Sequence, residues 1–118
     1  MMENLDVECA KLGEELAELA DAKLLTDALA VLQEQGLYAF FLYLKVQKEK
    51  GEKIKELCTD FLEKTSGKNL LSLKSQPGYE FELVKTLAAN LDDLLFARDL
   101  LLQAIMYGRY HAKVKKEA

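Results

Sequence analysis

An all-α fold of five or six helices, ending in one long C-terminal helix, is what this sequence predicts. Three observations carry the prediction. Apolar residues recur at steps of three and four through most of the chain. No stretch alternates polar and apolar residues as a half-buried strand would. Half of the 118 residues are hydrophobic, enough to fill one core without metal or disulfide staples. The chain is read as a single helical domain over residues 1–118.

Leu5, Cys9, Leu12, Leu16 and Leu19 line one side of a first helix, with glutamates on the other. Its few heptads are too short for a free-standing coiled coil, so it docks on a neighbour. A second apolar stripe, Leu24, Leu25, Ala28, Leu29 and Leu32, runs through AKLLTDALAVLQEQ. Gly36 ends that helix by accepting a left-handed conformation, and the third begins at Leu37. In GLYAFFLYLK, Leu37, Phe40, Phe41 and Leu44 fill one side, while Ala39, Leu42 and Val46 fill another. A helix apolar all round belongs in the middle of a bundle. Its eight-residue apolar run covers about 12 Å, far short of the roughly 20 residues a membrane span needs. Tyr38 and Tyr43 place phenols where the core meets its rim or an interface.

Gly51 marks the corner into a fourth helix from Glu52 to Lys64, where Ile54, Leu57, Cys58, Phe61 and Leu62 share a face. TSGKN stops it, and Pro77 with Gly78 makes a turn, so residues 65–78 form the longest loop. Tyr79 to Ala89 reads as a short fifth helix, although FELV is also compatible with an extended strand. Asn90 caps the final helix, Asp92 and Asp93 occupy its first turn, and it runs to about Lys115.

No catalytic constellation assembles. His111 is the only histidine and lies among Arg109, Lys113 and Lys115, which disfavour a bound cation. Cys9 and Cys58 are isolated, without the spacing of a zinc or redox motif. The pairs Glu14–Glu15 and Asp92–Asp93 are adjacent and point apart on a helix. Neither GxxxxGK nor GxGxxG occurs. The chain is therefore read as a non-enzyme with no catalytic residue, metal, cofactor or small-molecule substrate. The acidic start MMENLDVECA lacks the pattern of an export signal, and the expected location is the cytoplasm.

Charge distribution remains. Residues 1–36 hold nine acids against Lys11 and Lys23, a balance of −7, whereas residues 37–118 hold fourteen lysines and arginines against eleven acids, a balance of +3. Lysines crowd the turn from Lys45 through Lys48 to Lys55. On the last helix Arg98, Arg109, Lys113 and Lys116 fall within about 60° of one another, beside Leu91, Leu95 and Leu102. These cations either meet phosphates or snorkel at the edge of the core.

Two segments together resemble a family. GLYAFFLYLK is similar to the glycine-leucine start and apolar, lysine-ended helix of the small all-helical subunit of type III-B CRISPR effector complexes. LLFARDLLLQAIMYGRYHAKVKKE resembles that family's closing helix, through Phe96, Ala97, the aliphatic run Leu100 to Ile105, Tyr107, Arg109 and Ala112. The likeness covers residues 27–118, and Tyr107 stands where the family has a tryptophan. The resemblance implies a non-catalytic subunit whose copies stack in a minor filament beside guide and target RNA. Its partners would be the other effector subunits, copies of itself and the RNA backbone, with no membrane. Carried onto this chain, the RNA-contacting candidates are Lys45, Lys48, Arg98, Arg109 and Lys113. Base pairing reads sequence in such a complex, so the protein needs only backbone charge and shape.

The alternative is a helical adaptor that docks a protein partner through apolar anchors such as Tyr43 and Leu102 and has no nucleic-acid role. The acidic first third and basic remainder also permit head-to-tail stacking of copies into an open filament. Self-association of the isolated protein is then expected to weaken as salt rises. Sedimentation that is indifferent to ionic strength removes the charge-driven stack.

Overall fold

The computed structural model describes residues 4–67 and 76–117. Its elements are α1 (Leu5–Leu19), α2 (Ala22–Gln35), α3 (Leu37–Val46), α4 (Lys48–Ser66), α5 (Tyr79–Ala88) and α6 (Leu91–Glu117). Six helices and no strand occur among the described residues, so the fold is all-α with a long C-terminal helix. Short polar side chains start α1, α2 and α6. Asn4 accepts from the Asp6 and Val7 amides at 3.1 and 3.3 Å, Asp21 from Leu24 at 2.9 Å, and Asn90 from Asp93 at 3.2 Å. The FELV segment is helical, within α5.

Gly36 joins α2 to α3 with φ 93° and ψ −176°, an extended positive-φ conformation open essentially to glycine alone. It is not the left-handed cap the sequence predicts; Gly67, at φ 73° and ψ 4°, adopts that one at the end of α4.

The first and last helices run parallel in close contact. Asp6 meets Gln103 and Tyr107 near one end of α1, and Glu18 meets Lys115 at the other. Midway, a Cβ added to Gly13 would lie 2.6 Å from the Tyr107 Cβ and 2.7 Å from the Gly108 amide nitrogen. Only bare backbone fits there. The α2 helix covers another side of α6, where Arg109 Nε donates to Thr26 Oγ1 at 2.9 Å. Phe40 and Phe41 fill the core edge to face at 5.3 Å, joined by Leu16, Leu32, Leu62, Leu83 and Leu101. The α4 and α5 helices are pinned by a buried hydrogen bond of 2.5 Å between the Thr59 and Tyr79 hydroxyls.

The α3 helix departs from its expected burial. Leu37, Phe40, Phe41 and Leu44 are buried, but Tyr38, Leu42 and Val46, at steps of four, are exposed on the opposite side. The helix packs on α2, α4 and α5, and its buried residues all lie on the side turned to them.

The predicted corner also moves. It falls at Gln47 and Lys48 rather than at Gly51, and α4 begins at Lys48 rather than Glu52. Lys48 takes φ 59°, the one positive φ outside glycine among the described residues. Gly51 is buried inside α4, where an added Cβ would overlap the Leu44 carbonyl oxygen of α3. The glycine serves the close approach of two helices, not the turn. Thr65 and Ser66, expected in the loop, belong to α4, residues 68–75 of that loop lie outside the described residues, and α6 reaches Glu117.

Two substitutions test this corner by urea denaturation. Gly51→Ala is expected to destabilise by about 3 kcal/mol, because backbone cannot yield as a side-chain tip can. Lys48→Gly is expected to stabilise by about 0.5–1 kcal/mol, since the left-handed strain outweighs glycine's entropy. A neutral Gly51→Ala variant would place the α3–α4 contact elsewhere.

Candidate nucleic-acid interface

The five basic residues singled out from the sequence fall into two groups. Lys45 and Lys48 flank the α3–α4 corner and are exposed. Arg98, Arg109 and Lys113 lie on α6, the first and last separated by roughly 22 Å of helix. The two groups differ in the helices they touch. The Lys45 ammonium lies 6.0 Å from the Phe81 ring centroid of α5, whereas Arg109 bonds to Thr26 of α2.

Within the α6 group the arginines and the lysine differ. Arg98 is half-buried, its guanidinium 3.6 Å from Asp99, and its Nε is buried with no hydrogen-bond partner among the described residues. Arg109 is half-buried and fixed through Nε by the Thr26 hydroxyl, which leaves its charge unneutralised. Lys113 is exposed and joins no ion pair among the described residues, while its neighbour Lys115 reaches Glu18 at 3.3 Å. The row is therefore part packing and part open charge.

At the corner the acids are already occupied. Glu49 lies 3.9 Å from Lys53, and Glu52 2.6 Å from Lys55. Burial pulls the Lys55 ammonium down, but the Glu52 hydrogen bond and the Glu80 charge outweigh it and hold the group above its usual value. Lys55 and Glu52 line a cleft of about 440 Å³ with Lys45, Tyr79 and Glu80. Lys45, Lys48 and Lys50 join no ion pair among the described residues, so the corner carries uncompensated positive charge.

Sequence reasoning missed an apolar face. Leu91, Leu95, Met106, Tyr110 and Val114 are exposed along α6, Leu91 and Val114 by two thirds. Met106, Tyr110 and Val114 follow at steps of four, a signal legible as a second apolar stripe beside the buried one of Ala97, Leu101, Ala104 and Ile105. A shallow groove between α1 and α4 is lined by Leu19 and Leu57 together with four acids, Glu15, Glu18, Glu56 and Asp60, and one cation, Lys53. Tyr43 and Leu102, the anchors expected of an adaptor, are half-buried against the core instead.

Both cysteines are buried. Burial, with Asp6 and Glu8 nearby, pushes the Cys9 thiol up to about 11, and burial alone pushes Cys58 up to about 12. Among the described residues no group of three or more histidine, cysteine or carboxylate side chains is placed to hold a metal ion, and no helix is long and apolar enough to cross a membrane. The folded chain keeps two protons that the unfolded chain releases above about pH 9, so these thiols favour folding less as pH rises from about 9 toward 12. At pH 8 the native thiols are expected to resist a maleimide that labels both in urea; rapid native labelling would mean that α1 or α4 opens locally.

No protein-family model, curated protein or solved structure matches the chain.

Proposed function

We propose that the chain is a non-catalytic structural subunit of an RNA-guided interference assembly, the role its resemblance to the type III-B small subunit implies. In this reading it packs against neighbouring subunits through the outer face of α6 and meets RNA backbone through open lysines. One observation carries the reading: α6 sets exposed Leu95, Met106, Tyr110 and Val114 beside the uncompensated Lys113. Aligned apolar side chains mark a surface that another surface covers, and a flanking cation with no internal partner marks a polyanion's path.

The acid-rimmed groove of α1 and α4 fits the same reading. A basic, apolar face on one side and an acidic, apolar groove on another form a heterologous pair, which repeats into an open stack when rotation does not close it. The reading gives the chain no catalytic residue, metal or cofactor, and it places the assembly in the cytoplasm.

An adaptor without nucleic-acid contact is the second reading, favoured by the length of the exposed stripe on α6. Salt separates the two. In an anisotropy titration with single-stranded RNA, Lys113→Ala is expected to weaken all sequences alike and lower the salt slope by about 1. Arg98→Ala is expected to leave the slope unchanged, because Asp99 already faces its guanidinium. An adaptor instead loses its protein partner on Tyr110→Ala, with little dependence on salt, and ignores RNA.

A further inference from the structure

The α3–α5 junction carries an aromatic and basic patch that the α6 surface does not explain. Tyr38 and Phe81 lie 4.8 Å apart between ring centroids, inclined at 42°, and the Lys45 ammonium sits 6.0 Å from the Phe81 centroid. Tyr38 and Lys45 are seven residues apart, two turns of one helix face, so ring and cation follow each other along a single edge. Tyr38 is 46% exposed. The residue is thus about half open to solvent, with the Phe81 ring tilted against it. Leu42, between them on the helix, is also exposed and adds apolar surface.

We propose that Tyr38, backed by Phe81, is a stacking platform for an unpaired base of single-stranded RNA, with Lys45 and Lys48 holding the adjoining phosphates. The inference rests on the reading of the chain as an RNA-contacting subunit and adds a base-stacking site to it.

Charge decides between nucleic acid and an apolar protein segment as the occupant. Among the described residues Glu49 faces Lys53, Glu52 faces Lys55, Glu82 faces Lys85 at 3.4 Å, and the buried Glu80 acts on Lys55, while Glu56 and Asp60 line the same cleft farther along α4. Lys45, Lys48 and Lys50 are left over, and together they attract an anion. A ligand that is flat and apolar on its faces, and negative at a regular spacing along its edge, answers both halves of the patch. Every base offers a π-face, so the platform tolerates any sequence, as a subunit that leaves reading to base pairing requires.

The test titrates full-length protein with a labelled oligouridine RNA and with an abasic oligomer of equal length, comparing wild type, Tyr38→Ala, Tyr38→Phe and Lys45→Gln. Tyr38→Ala is expected to weaken RNA binding about tenfold with an unchanged salt slope, and Tyr38→Phe to retain it. The abasic oligomer is expected to bind both proteins alike, and Lys45→Gln to lower the salt slope for either ligand. If wild type binds RNA and Tyr38→Ala binds it equally well, the platform is overturned and the RNA reading stands. If wild type binds neither oligomer at low salt, both fall. An equal loss for RNA and abasic oligomer on Tyr38→Ala also overturns stacking, and loss of self-association without loss of RNA binding assigns the patch to a protein contact.

Discussion

The constraint that ties the two ends of the chain together is the close approach of α1 to α6 at Gly13 and Gly108. Near the contact, a Cβ on Gly108 would stand 3.2 Å from the Gly13 carbonyl oxygen and 3.3 Å from a Leu25 methyl, so three helices converge at a point with no room for side chains. The N-terminal helix can then lie against the C-terminal one along its whole length, from Asp6 opposite Gln103 to Glu18 opposite Lys115. That contact closes the chain on itself. It also bears on which surface stays open: α1, α2, α4 and α5 all pack on α6, and among the described residues none covers the side of Leu91, Tyr110 and Val114.

Electrostatics follows from the same arrangement. Bringing the acidic α1 beside the basic end of α6 neutralises Lys115 through Glu18, and α1 likewise engages α4 through Glu8 and Lys64 at 3.0 Å. The Lys64 hydrogen bond leads the causes that hold the Glu8 carboxyl below its usual value. Such exposed pairs contribute little to stability, but they settle which cations are occupied. Among the described residues Lys45, Lys48 and Lys50 at the α3–α4 corner and Arg109, Lys113 and Lys116 on α6 join no ion pair, and the chain's net negative charge conceals both groups.

Helical periodicity made most of the fold legible before any coordinates, because burying one face of a helix forces the three-four spacing that α1, α2 and α4 display. What it could not show is height above the surface. A wheel placed Arg98, Arg109 and Lys113 at one angle, yet the first lies beside Asp99, the second is fixed by a residue 83 positions away, and only the third stands clear. The corner misled for a related reason. Gly51 looks like a turn because glycine tolerates unusual dihedrals, but here its missing Cβ admits the Leu44 carbonyl, while a lysine takes the left-handed turn. Gly13 and Gly108 gave no local sign at all, since their meaning lies in a contact between opposite ends of the chain.

The apolar residues on the outer face of α6 are not needed by the fold. Its inner face, Ala97, Leu101, Ala104 and Ile105, already meets the core, and polar residues at Leu91, Tyr110 or Val114 would leave those contacts intact. Single exposed leucines are common on any protein and explain nothing. A row at helical spacing on one unpartnered flank is different, because its members would be covered together or not at all. Hydration of such a row is a standing cost to the isolated chain, and the cost is offset only where a second surface removes it from water. The lysines bear the opposite relation to water: they are well solvated alone and gain by releasing counterions from a polyanion. The two kinds of surface therefore respond differently to a partner: covering the row relieves a cost that the lone chain bears, whereas the lysines, Lys113 beside that row among them, lose nothing by staying in water.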